Sequence, residues 1–140
     1  HQGIDVARAA GIEHVAGATG KTSESAVRAL YGLDEQALLE MGDFAGALLK
    51  YIRRHPVARL TVAGGFAKIS KLAQGHMDLH SGRSEVDIAG LAGHLSDLGA
   101  PTDTVSLARA AHSAGAVLAL AGTMMLGDRS SPLESSVSQR

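Results

Sequence analysis

Two short apolar runs, residues 12–17 and 58–63, each lead into a glycine turn that is followed by residues at helical spacing. Both runs contain β-branched residues, and short apolar runs bounded by glycine are typical of strands. A helical connection between two strands favours a parallel pair joined by a right-handed crossover. We therefore predict an α/β fold, a parallel-sheet layer with flanking helices, in which these two strands lie adjacent or one strand apart.

Apolar positions at helical spacing, broken by glycine or proline, predict the remaining elements. The predicted helices cover residues 2–10, 24–30, 35–41, 44–54, 67–73 and 85–98, followed by one long helix that starts at Thr102 or Asp103. The expected N-caps of the second, third and fourth helices are Thr22 or Ser23, Asp34, and Asp43. In the helix over residues 44–54, the stripe expected to face the core comprises Phe44, Ala47, Leu48 and Ile52.

The 140-residue chain is 45% hydrophobic but only 3% aromatic, so alanine, leucine, valine and isoleucine are expected to fill its core. We predict one domain over residues 1–126 and a disordered serine-rich tail over residues 127–140. A net charge of -1 and few aromatics argue against a nucleic-acid partner. The absence of cysteine excludes thiolate chemistry. No apolar run reaches ~18 residues, so we expect no membrane span and a cytoplasmic protein.

The segment from Gly17 to Ser23 ends like a Walker A motif, but position 15, where that motif has its first glycine, is Val15. A looser anion-binding role remains open, because glycines admit a ligand to the backbone and helix starts offer free N–H groups. A plain turn before a capped helix is the simpler interpretation. The pair Gly64 and Gly65 lacks the G-x-G-x-x-G pattern, so a nicotinamide dinucleotide is not supported.

Lys68 and Lys71 are three positions apart on one predicted helix face, where they would hold carboxylates or phosphates, or simply be solvated. His76 and His80 follow in a glycine-flanked loop and suggest acid–base or hydrogen-bonding roles rather than a metal site. The turns at residues 17–22 and 64–68 both follow strands. Because carboxyl ends of parallel strands meet at one edge, we predict that the two turns face a common cleft.

Five segments together resemble the cobalt-precorrin-5B C1-methyltransferases of anaerobic cobalamin biosynthesis. They are VAGATGKTSE (15–24), ALYGL (29–33), EMGDF (40–44), AKISKLAQG (67–75) and HMDLHS (76–81). The resemblance covers about residues 2–98 and involves the C-terminal part of a longer, two-domain enzyme. It implies that S-adenosylmethionine donates a methyl group to C1 of a tetrapyrrole, with cobalt present only inside that substrate.

The resemblance also implies a set of site residues, in which the catalytic residues stay unassigned and the protein holds no metal. Those assigned to the cofactor are Gly17, Thr19, Gly20, Thr22, Glu24, Asp43, Gly64 and Gly65. Those assigned to the tetrapyrrole substrate are Lys68, Lys71, His76, His80 and Ser81. The expected partners are the substrate, an N-terminal domain outside this chain and, as an open possibility, a second copy of the protein.

Two other functions are compatible with the same residues. The chain could be a non-catalytic phosphate- or nucleotide-binding module that uses the turn at residues 17–22. It could also be an interaction domain whose apolar last helix packs on a partner.

Overall fold

The computed structural model describes residues 2–127. In chain order, the elements are α1 (Gln2–Ala9), β1 (His14–Ala18), α2 (Lys21–Tyr31), a 3-10 turn (Glu35–Ala37), β2 (Leu38–Glu40), α3 (Ala45–Arg54), β3 (Arg59–Ala63), α4 (Phe66–Ala73), α5 (Ile88–Asp97), α6 (Thr102–Arg109) and α7 (Ala114–Gly127).

The three strands form one parallel sheet in the order β2–β1–β3. Ala18 at the end of β1 is opposite Glu40 in β2 and Ala63 in β3, so all three strands end at the same level. The predicted α/β class and the adjacent parallel pairing of the two predicted strands are therefore confirmed.

The predicted helix over residues 35–41 is wrong. Only Glu35–Ala37 form a short 3-10 turn, and Leu38–Glu40 form the strand β2. After the strand, the N–H of Met41 donates to the carbonyl of Ala18 at 2.8 Å. Pairing with the buried central strand outweighs the local helical pattern of this segment, since strand preference depends strongly on tertiary context.

Several predicted helix ends are also corrected. Gly20, rather than Thr22 or Ser23, is the N-cap of α2, and Phe44, rather than Asp43, is the N-cap of α3. The Asp34 side chain makes no capping bond. The helix predicted to start at Glu85 starts at Ile88, because the carboxylate of Asp87 accepts from the N–H of Gly90 at 2.9 Å. The predicted long final helix is two helices, α6 and α7, and Pro101 is the N-cap of the first.

The packing of α3 against the sheet explains why residue 17 is glycine and which side of α3 is buried. Gly17 in β1 is buried, and a Cβ there would lie 2.5 Å from Cδ2 of Leu48 in α3. Ala45 and Leu48 of α3 belong to a core cluster with Met41 and Leu79. Phe44, by contrast, is 60% exposed, and Ala47 is exposed as well. The predicted core stripe is therefore wrong for these two residues, because α3 packs through a different side.

The chain groups into two compact units, one over residues 1–85 and a second that begins at Val86. The first contains the sheet, and the second contains α5, α6 and α7 around a small core of Ala92, Val105, Ala108 and Val117. The predicted domain over residues 1–126 thus spans both units, and its extent stays a prediction. The predicted tail lies, apart from Gly127, outside the described residues. Across residues 2–127, no helix combines the length and apolar character that crossing a bilayer requires.

Substitution of Gly46 in α3 tests how tightly the loop after α4, which contains Met77, packs on this helix. A Cβ at Gly46 would lie 2.8 Å from Cβ of Met77 and 3.3 Å from its carbonyl oxygen. We expect Gly46→Ala to lower the free energy of unfolding by about 1–3 kcal/mol, the usual cost of overpacking. The matched control is Gly93→Ala in α5, where nothing lies within 4 Å of the new Cβ. The control should be neutral or stabilising by up to ~1 kcal/mol. Urea unfolding measures both, and equal stability of the two variants would contradict the prediction.

Candidate functional site

The turns that follow β1 and β3 meet at the carboxyl edge of the sheet. The N–H of Thr19 donates to the carbonyl of Ala63 at 3.0 Å. A Cβ at Gly64 would lie 2.8 Å from Cγ2 of Thr19. The prediction that the two turns lie at the same end of the sheet is therefore confirmed. We name this part of the sheet edge, bordered by Thr19, Gly20, Gly64 and Gly65, the β1–β3 crevice.

Sheet topology gives this crevice a particular position. From β1 the chain passes to β2 on one side, and then to β3 on the other side of β1. The strand order therefore reverses between β1 and β3. Open parallel sheets bind ligands in the crevice outside the carboxyl ends of strands at such a switch point. The fold alone thus makes the β1–β3 crevice the first candidate for a ligand site.

Two helices start at the crevice with unused hydrogen-bond donors. Gly20 and Gly65 are the N-caps of α2 and α4, and no side chain caps either helix. The first bonds to the cap carbonyls come from the N–H groups of Glu24 and Ile69, each at 3.0 Å. The earlier N–H groups of both helices have no partner within the helix, which makes a helix start an anion-binding position.

The four glycines assigned to the cofactor fall into two pairs. Gly17 and Gly64 are required by packing, since an added Cβ would approach Leu48 or Thr19 closely. At Gly20 and Gly65, nothing in the described chain lies within 4 Å of an added Cβ. Only the second pair therefore leaves main chain open to a ligand.

Polar side chains near the crevice are partly engaged with one another. Oγ1 of Thr19 lies 3.5 Å from Oγ of Ser23, and Thr22 is exposed. The carboxylate of Glu24 lies 3.7 Å from the guanidinium of Arg28 one helical turn along α2.

An ion pair joins the segment after β2 to the helix after β3. Nζ of Lys68 lies 2.7 Å from Oδ1 of Asp43. Among the described residues, the ammonium of Lys68 is the partner of this buried oxygen. A carboxylate has about four acceptor positions, so Asp43 keeps acceptor capacity beyond this contact.

Lys71 does not belong to an exposed lysine pair. It is only 6% exposed, and its Nζ donates to the carbonyl of Leu79 at 3.2 Å. Lys68 has a 37% exposed side chain and is paired with Asp43. The expectation that Lys71 is exposed beside Lys68 is wrong, because its amine is bonded within the loop over residues 76–84. The assignment of the two lysines to the substrate stays a prediction.

That loop is organised by its own polar groups. The N–H of His80 donates to Oδ1 of Asp78 at 3.1 Å, and its Nδ1 accepts from the N–H of Gly82 at 3.0 Å. Arg83 donates to Oδ2 of Asp78 at 2.8 Å and, with the backbone N–H of His80, holds the pKa of that carboxyl below its usual value. Oγ of Ser84, a buried residue, donates to the carbonyl of Asp78 at 2.7 Å.

The remaining residues assigned to the substrate lie in this loop and not in the crevice. The N–H of His76 donates to the carbonyl of Lys71 at 2.9 Å, and Ser81 is exposed. Among the described residues, no group of three histidine or acidic side chains is placed to hold a metal ion.

A concave surface lies along α3, and its residues were not assigned to a site by the sequence analysis. It is a groove of about 690 Å³ along α3, and we name it the α3 groove. Its lining residues are Phe44, Gly46, Ala47, Lys50, Tyr51, Arg53, Arg54, Met77 and Asp78. The available signal was the combination of apolar residues and cations at helical spacing, which we assigned to the core on its apolar members alone.

No family model and no solved structure matches the chain. Curated relatives do match it. A protein of a Bradyrhizobium species is 63% identical over 118 residues, which is 84% of this chain and 31% of the relative. Proteins of Paramagnetospirillum magneticum and Methylorubrum extorquens are 57% and 58% identical, over 90% and 86% of this chain and 35% and 34% of their own lengths. All three are named cobalt-precorrin-5B C(1)-methyltransferase.

The fold is that of a parallel α/β protein whose strand order reverses between β1 and β3, and proteins of this class bind ligands at such a switch point. By sequence, the chain belongs to the cobalt-precorrin-5B C(1)-methyltransferase family, as the five segments indicated. It spans about a third of the length of these curated relatives.

Removing the two lysines separately distinguishes their roles. We expect Lys71→Ala to lower the free energy of unfolding by about 1–3 kcal/mol, because the carbonyl of Leu79 loses its partner and the buried stem its packing. Lys68→Ala should cost less than ~1 kcal/mol, since a partly exposed ion pair contributes little. Urea unfolding of the two variants is the measurement, and a larger loss for Lys68→Ala would reverse the assignment.

The pair of Asp78 and Arg83 predicts a pH effect. Because the pKa of Asp78 is lowered from its ordinary value of 3.8, its contribution to stability is present above that pH and is lost as the pH falls further. We expect Arg83→Gln to raise the titration midpoint of Asp78, measured by carboxyl NMR. Arg59→Gln, at the amino end of β3, is the control and should leave that midpoint unchanged. An unchanged midpoint in Arg83→Gln would contradict the assigned cause.

Proposed function

We propose that the chain is the part of a cobalt-precorrin-5B C1-methyltransferase that binds the methyl donor S-adenosylmethionine in the β1–β3 crevice. The names of relatives at 57–63% identity support the reaction and the tetrapyrrole substrate. The observation that carries the location is the pair of uncapped helix starts at the switch point of the sheet.

The residues around the crevice fit the methyl donor. A carboxylate, such as that of its methionine part, suits the free N–H groups at the starts of α2 and α4. The carboxylate of Asp43 has acceptor capacity beyond its ion pair with Lys68, which suits a hydroxyl or ammonium donor. Gly20 and Gly65 leave room for a ligand to approach the main chain. When bound, S-adenosylmethionine supplies the methyl group.

The chain's own contribution to catalysis is positioning. Transfer of a methyl group from sulfur to a carbon nucleophile depends on alignment of the two atoms, so large rate gains are available without a nucleophilic side chain. The helix starts would fix the donor's orientation. The ion pair of Asp43 and Lys68 would keep the segments after β2 and β3 in place. Cobalt belongs to the substrate and requires no ligand from this chain.

The free helix starts would also suit a phosphate, which is the alternative left open by the sequence. The turn between β1 and α2 consists of only Thr19 and Gly20. A turn of two residues offers far fewer backbone N–H groups than the longer glycine-rich loop that encloses a triphosphate. We therefore favour the methyl donor over ATP.

Calorimetric titration of the full-length protein that contains this chain tests the proposal. We expect S-adenosylhomocysteine to bind and ATP not to bind. Gly65→Asp should weaken S-adenosylhomocysteine by about tenfold or more, because the new carboxylate occupies the N–H groups of α4 and repels the ligand's own carboxylate. Stability should be unchanged or raised, since aspartate is a favoured N-cap.

Gly65→Asn is the matched control, because it has the same shape and capping ability without the charge. It should weaken the ligand less than Gly65→Asp. Binding of ATP in place of S-adenosylhomocysteine would favour the phosphate-binding alternative. Equal affinity of Gly65→Asp and the unmodified protein would exclude the start of α4 from the site.

A further inference from the structure

The α3 groove is lined by apolar side chains that are largely exposed to solvent. Phe44 and Met77 are 60% and 52% exposed, and both line the groove. The chain contains only two phenylalanines and two tyrosines, and Phe44 and Tyr51 both lie here. A chain so poor in aromatic side chains places half of them beside one open groove, where they bury little surface in the core. This distribution indicates a surface that contacts an apolar ligand.

Three positively charged side chains also line the α3 groove. Lys50, Arg53 and Arg54 follow the apolar residues along α3 and line the groove. Within residues 2–127, no ion pair engages any of the three, and Asp78, the acidic lining residue, is paired with Arg83. Arginine binds carboxylates in a bidentate manner. The groove therefore combines an apolar surface with unneutralised positive charge.

Hydrogen bonds and ring stacking hold residues that line the groove in place. The hydroxyl of Tyr51 donates to the carboxylate of Asp5, with both oxygens at 2.8 Å. The ring of Tyr51 stacks on that of His55 with 4.1 Å between centroids. Gly46 N–H donates to the carbonyl of Met77 at 2.8 Å and holds the loop that contains Met77 on α3. The groove is thus formed before any ligand arrives, which lowers the entropic cost of binding.

We propose that the α3 groove binds an apolar ring compound bearing several carboxylates, with its ring on Phe44 and Met77 and its carboxylates on Lys50, Arg53 and Arg54. This inference rests on the proposed function, under which the ligand is the tetrapyrrole substrate. It moves the substrate's carboxylate contacts away from Lys68 and Lys71. Lys71 is buried against Leu79, and Lys68 is neutralised by Asp43.

Fluorescence titration of the full-length protein with uroporphyrin, a tetrapyrrole polycarboxylate, tests the groove. We expect Arg53→Gln combined with Arg54→Gln to weaken uroporphyrin by about tenfold or more, because two charge-assisted contacts are lost. The weakening should be greatest at low salt. Both arginines are exposed, so circular dichroism should show an unchanged fold. The matched control, Arg59→Gln combined with Arg109→Gln, removes the same charge elsewhere and should change the affinity by less than about threefold.

Two further measurements distinguish the contribution of apolar contact with the porphyrin ring from that of its negative charge. Phe44→Ala should weaken uroporphyrin while leaving its salt dependence intact, because only apolar contact is removed. A porphyrin carrying cationic substituents should not bind the unmodified protein. Tight binding of that cationic porphyrin would overturn the proposal, as would equal uroporphyrin affinity in the Arg53 and Arg54 double variant.

Parallel titration with S-adenosylhomocysteine keeps the two proposals distinct. If S-adenosylhomocysteine binds but the double variant retains uroporphyrin affinity, the α3 groove is excluded as the uroporphyrin site. The proposal that the methyl donor binds in the β1–β3 crevice then stands. If the double variant loses uroporphyrin but no S-adenosylhomocysteine binds to the unmodified protein, the groove stands as a polycarboxylate site and the proposed function fails.

Discussion

Pairing of β1 with a strand on each side is the constraint on which the sheet-containing unit depends. Its backbone hydrogen bonds fix β2 and β3 at a common level, and Val15 and Ala16 within it are completely buried. A central strand of a parallel sheet has no exposed edge, so slippage would break two ladders and move its buried residues to the other face. This pairing also fixes the positions of the loops that form the crevice, because they leave from the ends of the paired strands.

The sequence pattern was sufficient to predict the strands whose own residues favour extended structure. Residues 14–18 and 59–63 combine β-branched residues with a following glycine turn, and both are strands. β2 is only three residues long and has no such signal, since it exists as a strand through its contact with β1. Local preference does not reveal a strand that is stabilised by a partner distant in sequence.

The side-chain environment was harder to predict than the elements. Apolar spacing in α3 indicates an amphipathic helix, but it does not show which side meets the sheet when both sides carry apolar residues. Phe44 was therefore assigned to the core although it lies at the surface. Lys71 was assigned to the surface although its amine is buried on a carbonyl eight residues ahead. That contact arises from the course of the loop, which neither residue type nor spacing specifies.

The glycines that begin α2 and α4 have a consequence for how recognition in this protein can change over evolution. Glycines begin the two helices that start at the crevice, so the surface it offers there is largely main chain. A point mutation replaces a side chain and leaves the peptide groups unchanged, so it alters few of the atoms that a ligand would contact there. A new preference would have to come from insertions or deletions that alter the turns themselves.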